Sequence, residues 1–296
     1  MSENPEIFAD QLLGYTLPTR NARGRLVRLD RVISEILSAH AYPPSIALLL
    51  AEALVLCALM GGLLKGEGTQ MTMQAQTEAG AVRLLVCDYR GGEMRGYVDF
   101  DRAALAELGA NPSLFALFGT GYLAITFDAG PGKRYQGIVP LEGDSLAAAC
   151  ERYFVQSEQV LTLIRVAVKS GPQGLKAGGL LVQHLPEGEV GRERLHVRET
   201  NPDWDHVQII AGSVSHSELV DPGLSMEAIL WRLFHEEDEI LVQTGEILCK
   251  GCRCTVEHYE TVIKRFSPEE RDEMRNDAGE ILVDCAFCSR QFKLNI

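Results

Sequence analysis

Residues 46–64, "IALLLAEALVLCALMGGLL", are almost wholly apolar and as long as a membrane-spanning helix. How they are read decides the fold. Glu52 lies inside the stretch, and an acid at mid-span costs about 2.5–3.5 kcal/mol on insertion scales. Pro43 and Pro44 stand at its start as helix-initiating residues, and Gly61-Gly62 punctuate its end. We therefore expect a buried core helix in a chain without a membrane span.

The flanking sequence supplies strands to cover such a helix. "GRLVRLDRVISEILSAH" (24–40) reads as a short strand and then a helix with an apolar stripe of Val32, Ile33, Ile36 and Leu37. "TQMTMQAQT" (69–77) alternates polar and apolar residues, and "AVRLLVCDY" (81–89) and "EMRGYVDF" (93–100) follow across Gly-rich turns, as in an antiparallel meander. Short helical patterns at 101–108 and 111–118 precede strands at 121–128 and 134–141. A helix over 144–160, capped by Asp144 or Ser145, leads to strands at 161–169 and 175–185. The charged stretch 187–205, broken by Gly and Pro, reads as a linker, and "SMEAILWRLFH" (225–235) is the best of the weaker helices beyond it. The fold class is α+β: an N-terminal mixed sheet-and-helix domain (1–186), a linker region with weak helices (187–248), and a small cysteine-rich C-terminal domain (249–296).

The formal net charge of −13 over 296 residues opposes nucleic acid as a partner, since its average field repels a polyanion. The amino-terminal "MSENPEIFAD" lacks a basic region followed by an apolar one, so the expected compartment is a reducing cytoplasm. Clustered cysteines there mean metal or redox chemistry rather than structural disulfides.

Five of the eight cysteines fall in two groups near the C-terminus, "CKGCRC" (249–254) and "CAFC" (285–288). Four thiolates satisfy one Zn²⁺ tetrahedrally, leaving no open position for a substrate. The first group offers two ligand pairs, Cys249 with Cys252 or Cys252 with Cys254. In "SPEERDEMRND" (267–277), Ser267, Pro268 and Glu270 carry the signals of a capped helix, with Gly279 as its stop and "EILVD" as a strand into Cys285. From 252 to 296 there are seven Lys/Arg against nine Asp/Glu, a poor phosphate-binding surface. Residues i and i+2 on an extended strand lie about 6.6 Å apart. Cys252 and Cys254 could therefore form a disulfide only with a bent backbone. Metal-bound thiolates beside Lys250 and Arg253 are poised for oxidation, which would eject the metal and with it about 10–16 kcal/mol of folding free energy.

The pattern C-x-C, thirty residues, C-x-x-C resembles the redox-regulated holdase chaperones, the thirty-three-kilodalton heat-shock protein family. "RYQGIVPLEGDSLAAACERYFVQSEQ" (134–159), "AGGLLVQHLP" (177–186) and "EAILWRLFHEED" (227–238) are similar to that family as well, so the resemblance covers nearly the whole chain. It implies a cytoplasmic, ATP-independent chaperone, inactive while reduced and holding one zinc ion through Cys252, Cys254, Cys285 and Cys288, with Cys249 surplus. Oxidation is then expected to form Cys252–Cys254 and Cys285–Cys288 disulfides, release zinc, unfold the tail and linker, and yield a homodimer that holds unfolded or oxidatively damaged client proteins. The rival reading is a zinc-stabilised adaptor or nucleic-acid-binding protein with a purely structural Cys₄ site. No catalytic constellation accompanies the closed site, so no enzyme activity is expected. Cys57, Cys87 and Cys150 are expected in the core, "GPGK" (130–133) is a turn rather than a phosphate loop, His235 ends a helix, and Trp231 and Phe234 are core or docking contacts.

Overall fold

The apolar stretch is a helix, and two sheets enclose it. The computed structural model describes residues 10–185 and 201–296, apart from 65, 67, 131, 173 and 295. Residues 187–200 of the expected linker lie outside the described residues. One sheet comprises β1 (Gln11–Leu17), β2 (Ala22–Leu29), β8 (Thr162–Gly171), β9 (Gly174–His184) and β10 (Leu241–Ile247), in the order β10-β1-β2-β9-β8. The other comprises β3 (Gln70–Thr77), β4 (Val82–Arg90), β5 (Glu93–Phe100), β6 (Gly121–Asp128), β7 (Arg134–Pro140) and β11 (Cys249–Lys250), in the order β11-β5-β4-β3-β6-β7. Pairing is antiparallel throughout both sheets, except that β11 runs parallel to β5.

Between the sheets runs α2 (Pro44–Gly61), flanked by the shorter α1 (Arg31–Leu37), α3 (Arg102–Ala106), α4 (Leu114–Phe118) and α5 (Leu146–Tyr153). A helix apolar on every side must be covered on every side. Here β2, β8 and β9 contact it from one sheet and β3, β4 and β5 from the other. From Leu49 to Gly61 every residue but Glu52 is buried. The Glu52 carboxylate is raised by burial, against which it accepts hydrogen bonds from the backbone N–H groups of Ala147 and Leu146 at the start of α5. The acid that argued against a membrane span thus ties α2 to α5. Cys57, Cys87 and Cys150 lie in this core, as expected.

The outer face of the five-stranded sheet carries a helical layer: α6 (Pro202–Gly212), α7 (His216–Leu219) and α8 (Met226–Phe234). Trp204, Val207, Ile229 and Phe234 pack there against Leu13, Tyr15, Leu26 and Leu180 in a second core. The approach is close. A Cβ on Gly178 would stand 2.3 Å from the Leu219 carbonyl oxygen, so only glycine lets α7 seat on β9. Buried Arg28 of β2 donates to the backbone carbonyls of Leu224 and Glu218, fastening the ends of α7 and α8 to the sheet.

Several boundaries differ from expectation. Helix α6 begins at Pro202, inside the stretch read as linker through 205, because Asn201 caps it and Asp203 and Asp205 face its N-terminus. The region 187–248 is read above as a linker with weak helices, but within it Leu241–Ile247 is a strand that pairs with β1, a partner remote in sequence. Helix α5 stops at Tyr153; a π-type turn over Phe154–Glu158 follows and ends at Gln159, whose φ is 56°. In the tail, α9 (Val256–Ile263) and α10 (Pro268–Glu273) precede the hairpin β12 (Ile281–Asp284) and β13 (Gln291–Leu294). The capping box of Ser267 and Glu270 is present. However, α10 ends at Glu273, before Gly279, because the Asn276 side chain accepts from the Ala278 and Glu280 N–H groups and folds the backbone into a turn. Phe234 and His235 lie as read, in the core and at the end of α8, whereas Trp231 is 66% exposed.

Candidate metal centre

Cys252 and Cys254 emerge directly from β11, while Cys285 and Cys288 occupy the turn joining β12 to β13. The turn is tight: Ser289 N–H donates to Cys285 O at 2.8 Å and Cys285 N–H to Arg290 O at 2.9 Å, with Ser289 at φ 55°. All four Sγ atoms lie within 4.8 Å of one another. The nearest separations are 3.2 Å for Cys252–Cys254, 3.5 Å for Cys254–Cys288 and 3.6 Å for Cys252–Cys285. Four sulfurs about 2.3 Å from a zinc ion sit at tetrahedral edges of about 3.8 Å, so the cluster has the size and donor set of a closed zinc site. All four are free thiols in this structure. Cys249, by contrast, points from β11 into solvent and takes no part in the cluster.

The surroundings treat the four thiols unequally. Burial alone would raise Cys285, but hydrogen bonds from the Tyr259 hydroxyl, the N–H groups of Cys288 and Phe287, and the Cys252 thiol bring it down to about 6. Cys254 and Cys288 are pushed up, chiefly by burial. The surroundings thus favour the thiolate at Cys285 and the protonated form at Cys254 and Cys288. The ring of Tyr259 of α9 also packs, tilted, at 5.1 Å from that of Phe292 of β13, and with Ile281 and Leu294 these rings form the small core behind the cysteines. The cysteine spacing gave no sign of Tyr259. Its i, i+4 relation to Ile263 on α9, an apolar stripe in "VEHYETVI", was the available signal.

The module is seated on the six-stranded sheet through polar contacts. Arg253, between the first two thiols, donates from Nη1 to Gln70 Oε1 at 2.9 Å, and its Nη2 lies 3.5 Å from Asp88 Oδ2. Asp88 is itself buried and also accepts from Arg95 Nε at 2.6 Å and Thr72 Oγ1 at 2.6 Å. The Arg95 guanidinium covers the Phe287 ring at 4.1 Å. On the second loop, Ser289 Oγ donates to Ala39 O at 2.7 Å, and His40 Nε2 lies 2.8 Å from Ala286 O. Both cysteine loops therefore touch the N-terminal body beside the metal-sized cluster.

Comparison with known proteins agrees with this architecture. The family model described as "Hsp33 protein" matches residues 10–295. A "33 kDa chaperonin" of Caulobacter vibrioides is 40% identical over 298 residues, covering 98% of this chain and 96% of its own. One of Salmonella typhi is 34% identical over 288 residues, covering 97% and 92%. The crystal structure of a 33 kDa chaperonin from Thermotoga maritima superposes with a TM-score of 0.78 over 96% of this chain and 94% of that one; at 23% identity it speaks for the fold. By the extent of these matches, the chain belongs to the Hsp33 protein family.

Proposed function

We propose that the protein is a redox-regulated, ATP-independent holdase, idle while its four tail thiols are reduced and zinc-bound and active once they are oxidised. The observation that carries the reading is the Cys252, Cys254, Cys285 and Cys288 cluster, with Sγ atoms within 4.8 Å, on a module held to the body by a handful of polar contacts. Those four would be the ligands of one Zn²⁺ per chain; the ion would neutralise thiolate charge and tie the Cys252–Cys254 segment to the Cys285–Cys288 loop. The chain divides into a body (1–186), a region that responds (187–248) and the switch module (249–296). Its kinship with 33 kDa chaperonins supports client proteins as the partners, with a homodimer as the active form and the cytoplasm as the compartment.

The switch is a four-electron oxidation. Four thiolates give up four electrons to form two S–S bonds, and two molecules of peroxide take up those electrons with four protons and leave as four waters. Which sulfurs pair decides the consequence. Bonds across the cluster, such as Cys252–Cys285, would staple the two segments together and keep the module folded. Bonds within each segment, Cys252–Cys254 and Cys285–Cys288, leave nothing joining them, and the 3.2 Å approach of Cys252 to Cys254 favours this pairing. A module with so small a core then loses its fold. Arg253 and Ser289 let go of the body, and the helical layer behind β10 loses its neighbour.

The test is light scattering from a thermally unfolding client, with the reduced zinc-loaded chain and again after peroxide at elevated temperature. Suppression only after oxidation, reversed by dithiothreitol, is expected. Zinc that stays bound, or no suppression in either state, would make the Cys₄ site purely structural.

A further inference from the structure

The five-stranded sheet ends at β8, which pairs residue for residue with β9 and, among the described residues, has no strand on its other side. In an antiparallel ladder, alternate residues turn both N–H and C=O to the same side. Ile164 turns its pair outward, where Glu151 and Arg165 occupy it: Ile164 N–H donates to Glu151 Oε1 at 2.6 Å, and Arg165 Nη1 donates to Ile164 O at 2.9 Å. Those two side chains lie 3.6 Å apart and close the edge at that point. By the same alternation Val166 and Val168 also turn their backbone groups outward. Among the described residues, no hydrogen bond occupies them.

Beside this open edge lies a cavity of about 610 Å³, walled by β8 from Ile164 to Val168. That stretch spans about 13 Å at roughly 3.3 Å per residue, the reach of four or five extended residues. Leu48 of α2 and Leu114 and Leu117 of α4 form the opposite, apolar wall, and Leu48 is 37% exposed. Asp144 is the acidic group at the rim, Glu52 on the cavity wall is tied to the backbone of α5, and the cavity's Arg165 is already engaged by Glu151. A row of outward N–H and C=O groups at strand spacing matches a polypeptide backbone rather than a compact small molecule. Alternate side chains of an added strand would meet the leucines, and Asp144 at the rim and the net charge of −13 favour a basic chain. His216 at the start of α7 lines the same cavity, so loosening of the helical layer widens it.

We infer that the β8 edge and its cavity take up an extended, basic and apolar segment of an unfolding polypeptide by strand addition. This rests on the holdase reading and names where part of the client is gripped. One short edge binds a short segment without restraining a whole unfolding protein, so capture of a peptide by the reduced chain is compatible with its being idle toward aggregating clients.

The probe is a fluorescein-labelled nine-residue peptide of alternating valine and lysine, followed by fluorescence anisotropy against the reduced, zinc-loaded full chain. Binding is expected, at least tenfold weaker for the valine–glutamate counterpart. Val166→Pro removes an outward N–H that the β9 ladder does not use, a change edge strands accept, and is expected to weaken binding at least tenfold. A valine–lysine peptide N-methylated at alternate residues is expected to lose as much on the unaltered chain, which keeps the test independent of how the variant folds. Equal binding by the methylated and plain peptides, or by Val166→Pro and the parent chain, would overturn the proposal, as would Val166→Pro changing only the oligomeric state. Light scattering on the oxidised parent chain separates the two readings: suppression without peptide capture sinks the β8 site alone, and absence of suppression sinks the holdase reading.

Discussion

If the helical layer on the five-stranded sheet is the part that gives way, then loosening it without touching a cysteine should mimic oxidation. Phe234 is the place to do it. Its ring is fully buried at the end of α8, 5.8 Å from the ring of Tyr15 in β1, and it belongs to the core that joins the layer to the sheet. Replacing a buried phenylalanine by alanine costs about 3–5 kcal/mol through lost transfer energy and the cavity left behind. That cost falls on the layer, since α8 is one of three helices in it among the described residues, while the core around α2 is untouched. At about 1.4 kcal/mol per factor of ten, the open population of the layer rises about 140-fold to about 4,000-fold. Hydrogen exchange on reduced, zinc-loaded Phe234→Ala reads this directly: amides of α6 and α8 should lose two to three and a half decades of protection, with α2 and β3–β5 unchanged. The same reduced sample should suppress aggregation of a thermally unfolding client without oxidant. If the layer opens by that factor and the reduced variant stays idle, the layer does not gate holding and the reasoning fails. If exchange is unchanged, the packing argument fails first.

The cysteine assignments are tested together by zinc retention: Cys252→Ser should weaken zinc on the order of 100-fold or more and be partly active without oxidant, because three thiolates leave the tetrahedron open. Cys249→Ser should bind and activate like the parent chain, since that side chain stands outside the cluster. Asp88→Asn leaves Arg253 and Arg95 beside a neutral partner and breaks a partly buried charge cluster, a loss of about 3 kcal/mol at most; faster zinc release under a fixed peroxide dose is the expected outcome, measured with a chromogenic chelator. Glu237 is buried, which raises its carboxyl, yet Arg20 at 2.8 Å and His206 at 2.6 Å outweigh that and hold it below its ordinary value of 4.5. A depressed carboxyl stabilises fully above its unfolded value and ceases to as pH falls through the folded one. Protection of α6 and α8 should therefore hold from neutral pH down to about 4.5 and fall below it, with a shallower acid limb in Glu237→Gln.

What the sequence disclosed and what it withheld follow one physical line. The buried helix was legible because a single acid and two glycines settle its solvent, and the meander because period-two alternation is local. The cysteine module was legible because its cysteine spacing coincides with a capping box and a strand, signals each contained within a few residues. Strand β10 was not, because it is defined by pairing with β1 more than 220 positions away, and "LVQTGEI" carries no pattern of its own once both its faces are mostly exposed. The seat of the module on Asp88 was invisible for the same reason: Arg253 lies 165 positions from it. These long-range pairings turn out to be what couples the thiols to the rest of the molecule. After β10 completes one sheet, the chain passes through buried Leu248, whose N–H donates to Asp10 O at 2.9 Å, and enters β11 on the edge of the other. Cys252 follows two residues after β11, which is held by Cys249 N–H to Gly92 O at 3.0 Å and Gly251 N–H to Met94 O at 2.8 Å. A two-residue edge strand has little stability of its own, so it stands only while the module beyond it is folded. Loss of the module would free β11, then expose β10 and the edge of β1 beneath the helical layer. On the proposed reading, the route from sulfur chemistry to a holding surface would be a run of about a dozen consecutive residues that bridges two sheets.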